Sequence, residues 1–270
     1  MDQIPVYQIA TVNDAATSEN RIHSDEVAKK FGFTGALVSG VSVFGYLTHP
    51  LVEVYGENWL SSGMAEVKFI KPAYVDDLLT IKTDTVAVSA KQRHHLTMAY
   101  NQAGELLARL ESWLPLLPPS IDPHSKAEAA EMNIARKEIS FEGIKLNVPS
   151  LAYDFVVGQD LQQDCLQIMR DDLAVYYESP TPPVHPYYLL KECNQALMRM
   201  FILPAWIHVG SRLTFRSPVK VGQRVNVHTI PTDKWESKGH QFIKLYIAMN
   251  VDGNVVLEVE HTAIFRISAN

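Results

Sequence analysis

The sequence predicts an α+β chain made of two copies of one unit, each an antiparallel sheet wrapped round a central helix. Three observations carry this. Placing Val38-Ser39-Gly40 over Val184-His185-Pro186, an offset of 184 − 38 = 146, brings the following segments into register without a gap. AEVKFIKP at 65–72 then falls on SRLTFRSP at 211–218, and both copies pass through a turn (Val75-Asp76-Asp77, Val221-Gly222-Gln223) into alternating strands. Within a copy, one apolar helix precedes several strands joined by short turns, which favours antiparallel pairing.

Taken in order, Val41 to Tyr55 is apolar at 41, 43, 44, 46, 47, 51, 52, 54 and 55, so this helix is expected to be buried nearly all round. Gly45 costs it about 1 kcal/mol of propensity, tolerable where a sheet approaches closely. Pro50 is expected to end or kink it. Met64–Ile70, Leu78–Val88, Arg93–Tyr100 and Glu105–Leu114 read as strands, separated by Asp76-Asp77, Ala90-Lys91 and Gln102-Ala103-Gly104. The last turn is matched by Val251-Asp252-Gly253, at an offset grown to 149. The four prolines in 114–135 and the helix-favouring run after them read as a partly helical linker. Arg136–Ile144 reads as an additional strand and Leu161–Met169 as an amphipathic helix; nothing else in 147–177 is assigned. The resulting division is a first unit at 1–117, a linker at 118–136 and a second unit at 137–270.

Apolar residues make up 47% and charged residues 20%, with a net charge of −6 and no run of Lys or Arg. That balance argues against a nucleic-acid partner and leaves room for a local basic patch facing a phosphate-bearing ligand. Two cysteines without a CxxC exclude a disulfide framework and a Cys-based zinc site, and fit a reducing, cytoplasmic location. MDQIPVYQIATVND has no basic-then-apolar pattern of a secretion signal, and no apolar run reaches the ~20 residues that span a bilayer. HExxH, GxSxG, GxGxxG and P-loop patterns are absent, so no metal, serine nucleophile or nucleotide cofactor is expected.

Chemistry concentrates in 17–50. Ser18, Glu19, Asn20 and His23 form a polar cluster ahead of a short helical pattern; a glycine turn (Gly32 to Gly40) and the apolar helix follow. This order resembles the signature of the MaoC-like (R)-specific enoyl-CoA hydratases. There an Asp, an Asn and a His stand as D-x-N-P-x-H ahead of a glycine turn and a hydrophobic-His-Gly step into the central helix. Asn20, His23, Gly35 and Gly40 match. The family's Asp falls on Ser18, with Glu19 the nearest acid, and the His of the His-Gly step falls on Ser39. The resemblance implies the hotdog fold, here a double hotdog whose two antiparallel sheets join into one continuous sheet. It also implies a small acyl thioester substrate, carried by CoA or a carrier protein, and leaves room for a homodimer.

Three functions follow. The first is a lyase of the hydratase/dehydratase type, with His23 as acid/base, Asn20 as its orienter and Glu19 or Ser18 in place of the Asp. A His titrates near neutral pH, although a His ahead of a helix is by itself more often a solvent-facing residue. Ser39, Gly40 and Val41 at the helix start, and His185 at 39 + 146 = 185, are the substrate-binding candidates, the backbone N–H groups polarising a carbonyl. The second function is thioester hydrolysis with a carboxylate such as Glu19 activating water. The third is a binding subunit without catalysis. Met169 stands at 23 + 146 = 169, so one polar site per chain is expected.

Overall fold

The computed structural model describes residues 4–126 and 135–268. The first half comprises strand β1 (Tyr7–Ala10), a 3-10 turn at Arg21–His23, helix α1 (Asp25–Lys30), the central helix α2 (Gly40–Tyr55) and α3 (Glu57–Ser62). Strands β2 (Met64–Phe69), β3 (Leu78–Val88), β4 (Gln92–Tyr100) and β5 (Leu106–Pro115) complete it. After a 3-10 turn at Pro123–Lys126 come β6 (Lys137–Glu138), β7 (Leu151–Val156), α4 (Gln159–Met169), the second central helix α5 (Pro186–Met200) and β8 (Phe201–Ile202). The chain closes with β9 (Ile207–Phe215), β10 (Arg224–Ser237), β11 (His240–Val251) and β12 (Asn254–Arg266). The helical stretch expected in the linker lies largely at 127–134, outside the described residues.

Ten strands form one antiparallel sheet in the order β1-β3-β4-β5-β2-β9-β12-β11-β10-β7. From the seam between β2 and β9 outward, both halves have the same arrangement, a double hotdog with joined sheets. The seam runs in register from Met64 opposite Thr214 to Lys68 opposite Gly210. A Cβ on Gly210 would stand 2.7 Å from the Val67 carbonyl oxygen, so the two backbones approach closer there than a side chain permits.

The two central helices pack against each other under this sheet, and one apolar core runs through both halves. Helix α2 is buried from Val41 to Val52. Gly45 makes room, as expected of a close approach, but for helices rather than for the sheet. A Cβ there would meet Met169 Sδ at 2.5 Å and Tyr187 Cβ at 3.0 Å. Helix α2 continues through Pro50 to Tyr55, because burial on all sides outweighs the one backbone hydrogen bond that proline removes. The strand expected at 136–144 contracts to Lys137–Glu138, paired parallel with β8. Two edge strands have no counterpart in the sequence reading: β1 pairs with β3, and β7 with β10. Both are short, and their pattern is too brief to separate strand from loop.

The segment after β5 crosses the second half, anchored by the buried Glu258. That carboxylate accepts from the Asp122 amide (2.8 Å) and the Tyr246 hydroxyl (2.8 Å) and pairs with Arg216, whose guanidinium also donates to the Pro119 (2.8 Å) and Ser120 (3.1 Å) carbonyls. Since the seam tolerates no side chain at 210, Gly210→Ala is expected to lower the free energy of unfolding by roughly 1–3 kcal/mol, the usual cost of overpacking. Urea titration of both proteins followed by circular dichroism checks this; an unchanged midpoint contradicts the close-approach argument.

Candidate active site

Asn20 caps the 3-10 turn that carries His23, and its amide spans the two halves. Its Nδ2 donates to the Trp206 carbonyl (3.0 Å) and its Oδ1 accepts from the Trp206 N–H (3.1 Å), fixing both ends of the side chain on the backbone of one residue of the second half. The same Nδ2 stands 3.5 Å from His23 Nε2. His23 Nδ1 lies 2.8 Å from the Leu37 carbonyl oxygen, which can only accept, so Nδ1 carries the proton. With burial lowering the imidazole pKa against the Leu37 bond and the charge of Asp14, His23 is neutral near pH 7 and presents an Nε2 lone pair. The loop before it is folded back by Asn13, whose amide donates to the His23 carbonyl at 3.1 Å.

Asp14, unremarked in the sequence reading, is the buried carboxylate of this site; its side chain is 1% exposed. Its Oδ1 accepts from Ser39 (2.8 Å) and Ser42 (2.6 Å), and its Oδ2 from the Tyr187 hydroxyl of α5 (2.5 Å). Lys191 Nζ lies 3.7 Å from Oδ2 and donates to the Tyr187 hydroxyl at 2.9 Å. Burial pushes the carboxyl up, but the Ser42, Tyr187 and Ser39 hydroxyls and the Lys191 charge outweigh it and hold the pKa below its ordinary value. Asp14 is therefore ionised, and it favours a positive charge on His23.

Two cavities meet at these residues. An open mouth of about 670 Å³ is lined by Asp14, Ser18, Glu19 and Val41, with Arg136, Lys191 and Arg199 supplying cations. An inner chamber of about 70 Å³ lies between apolar residues including Val43 and Phe69, beside Gly40 and Ser39. Asn20, His23, Ser39, Asn194 and Trp206 line both, so His23 stands at the junction. Gly40, at the chamber, and Val41, at the mouth, begin α2 directly after its cap, Ser39, in the first turn of a helix, where amides have no intrahelical partner.

The remaining sequence candidates are distributed differently. Ser18 lines the mouth and accepts from the Asn20 N–H at 3.2 Å. Glu19 sits on the rim, 65% exposed, with both oxygens on Arg136 (2.7 and 3.3 Å). The carboxylate packed with the helix cap is Asp14, six residues before Asn20, so neither Glu19 nor Ser18 takes that place. His185 lines neither cavity. It is fully buried, caps α5 by accepting from the Tyr187 N–H (3.1 Å), and pairs through Nε2 with Asp171 at 3.1 Å.

Asp171 belongs to a second titratable cluster, contrary to the expectation of one polar site per chain. Its Oδ2 also meets His49 Nδ1 of α2 at 3.0 Å, and Tyr7 stacks on the His49 ring at 3.8 Å. The offset pointed to Met169 because it compared aligned positions, whereas the charge stands two residues later in the turn after α4. Among the described residues no group of three or more His, Cys, Asp or Glu could hold a metal ion, and the cluster is a hydrogen-bonded bridge between the central helices.

Comparison with protein families and with curated proteins finds no match. The fold does match solved structures across nearly the whole chain. A protein from Chloroflexus aurantiacus J-10-fl named as a MaoC domain protein dehydratase has a TM-score of 0.67 at 11% identity, covering 98% of this chain and 96% of that one. A conserved hypothetical protein from Mycobacterium tuberculosis with a double hotdog fold gives 0.64 at 12% identity, covering 98% and 96%. A protein from Lactobacillus plantarum named as an oleoyl thioesterase gives 0.53 at 12%, covering 97% and 96%. At these identities the likeness establishes the double hotdog fold.

The second cluster yields a stability prediction. Burial pushes the Asp171 carboxyl up, but hydrogen bonds from His185 and His49 and their charges outweigh it and hold the pKa well below its ordinary 3.8. A depressed carboxylate pKa stabilises the fold above the unfolded-state value, and that contribution fades as pH falls from there towards the folded-state value. Asp171→Asn is expected to cost about 3 kcal/mol at neutral pH, the usual price of breaking a buried pair. The gap to the parent protein should narrow below pH 3.8. Urea unfolding at a series of pH values measures both; a gap that does not depend on pH overturns the assignment.

Proposed function

We propose that the chain is a hydratase/dehydratase acting on an acyl thioester, with His23 moving the protons. The observation that carries this reading is the fixed tautomer of His23. Its Nδ1–H is committed to the Leu37 carbonyl, so Nε2 presents its lone pair at the junction of mouth and chamber, where the 3.5 Å approach of Asn20 is at the long limit of a hydrogen bond and a water can compete for it.

In the hydration direction, Nε2 takes a proton from a water as the water oxygen bonds to Cβ of a 2-enoyl thioester. The Cα=Cβ electron pair moves to form an enolate, whose oxygen is held by the Gly40 and Val41 N–H groups at the start of α2. The imidazolium then returns its proton to Cα, and the net change is the addition of one water. Asp14, ionised and close enough to act on the His23 charge, stabilises the imidazolium between these steps. Asn20 holds the ring through its contact with Nε2 and its anchorage on Trp206. Arg136, Lys191 and Arg199 give the mouth a positive side suited to the phosphates of CoA or of a carrier's phosphopantetheine arm.

Thioester hydrolysis is the second reading, favoured by the likeness to the Lactobacillus plantarum protein. In it the water activated by His23 attacks the thioester carbonyl and releases a thiol. Glu19 is a poor base for either reaction, because its pairing with Arg136 holds its pKa down.

His23→Ala is expected to keep the far-ultraviolet spectrum of the parent and to lower hydration of a 2-enoyl thioester by roughly 100-fold or more, followed by loss of enoyl absorbance. Glu19→Gln should leave turnover within about twofold, as for a side chain outside the reacting centre. Because burial lowers the His23 pKa and the base must be neutral, activity should fall on the acid side with a midpoint below 6.5. Thiol release from a saturated thioester without hydration of the enoyl compound would move the assignment to a thioesterase. Binding of thioesters without turnover of any would leave a binding protein.

A further inference from the structure

The inner chamber is apolar along much of its wall, yet three of the residues lining it carry a buried polar atom without a hydrogen-bond partner. These are Asn194 Oδ1, Trp206 Nε1 and His208 Nδ1, all from the second half. Trp206 is 2% and His208 7% exposed. A buried polar atom left unpaired costs about 1–3 kcal/mol, so a grouping of three round one small chamber calls for a ligand with a polar group. Asn194 and Trp206 also reach the junction where His23 stands, whereas His208 lines the inner chamber alone.

His208 also limits what that polar group is. Its Nε2 meets the Ser211 hydroxyl at 2.9 Å, and the same hydroxyl meets His261 Nδ1 at 3.1 Å, with the two imidazoles 4.2 Å apart. Burial, reinforced by His261 and opposed by a backbone hydrogen bond with Gly210, pushes His208 well below the ordinary histidine range, and burial takes His261 down to about 3. Both rings are neutral. The serine proton can point to either ring, so His208 Nδ1 is an acceptor in one arrangement and an N–H donor in the other. A hydroxyl, which both donates and accepts, suits either. A carboxylate suits only one and would lack a counter-charge, because the chamber's Lys71 places its ammonium on the half-exposed Glu105, 2.7 Å away. At about 70 Å³ the chamber has room for about five to seven water-sized groups, which is a short chain.

Resting on the thioester reading above, we propose that the chamber takes a short acyl chain ending in a hydroxyl, received by His208 and Trp206. The substrates are then thioesters of short ω-hydroxy acids rather than of plain fatty acids.

Calorimetric titration of the full chain with butyryl-CoA and 4-hydroxybutyryl-CoA tests this, with the five-carbon pair as a length control. The hydroxylated ester is expected to bind at least about tenfold more tightly, since a site built to pair a hydroxyl discriminates against the analogue lacking it. His208→Leu should abolish the preference by weakening the hydroxylated ester far more than butyryl-CoA, and His208→Gln, which can still hydrogen bond, should keep part of it. If the leucine variant fails to fold, His208→Gln and Trp206→Phe carry the comparison. Equal or tighter binding of butyryl-CoA by the parent protein, or a preference unchanged by these substitutions, overturns the ω-hydroxy assignment and leaves the thioester reading standing. Failure of every ester to bind overturns both.

Discussion

The pairing of β2 with β9 is the constraint on which the rest of the molecule depends. It turns two five-stranded sheets into one and brings the two central helices side by side. It also sets Trp206, one residue before β9, where Asn20 can hold both its backbone groups. Each of these needs a residue without a side chain at the point of closest approach. Gly210 serves the strands and Gly45 the helices, and at both a Cβ would fall within 3 Å of a neighbouring atom.

Charge is managed across the same boundary. Asp14 takes the cap of α2 through Ser39 and reaches over to Tyr187 of α5. Asp171 takes the cap of α5 through His185 and reaches over to His49 of α2. The two arrangements correspond in plan and differ in outcome. The first lies at a cavity wide enough for a ligand, with His23 beside it. In the second, Tyr7 stacks on His49 and the carboxylate is bonded to two imidazoles, which leaves it the character of a structural bridge. Two carboxylates buried in related positions thus take different roles because their partners differ.

Most of the fold was legible because periodicity and turn chemistry are local. The strands after α2 and the helix at Gln159–Met169 fall within a few residues of where the pattern puts them, and the repeat exposed the duplication. The edge strands were not legible, being short and paired with strands about 70 residues away in both halves. Asn20 and His23 were found through spacing. Asp14 was not, because what makes it special is contact with residues 25, 28 and 173 positions further on. His185 was given to the substrate by register alone. Register places a backbone, but whether its side chain faces a cavity or a buried partner depends on the elements packed over it.

The Asp14 contacts bear on the history of the duplication. Subtracting the repeat offset from Tyr187 and Lys191 gives 187 − 146 = 41 and 191 − 146 = 45, which in the first half are Val41 and Gly45. A symmetric pair of first halves would therefore confront the buried carboxylate with an isopropyl group and a bare backbone. It would have neither the phenol nor the ammonium that now keep it charged. The site therefore needs two different halves, one bringing Asp14 and the other Tyr187 and Lys191, and a pair of identical units would not rebuild it.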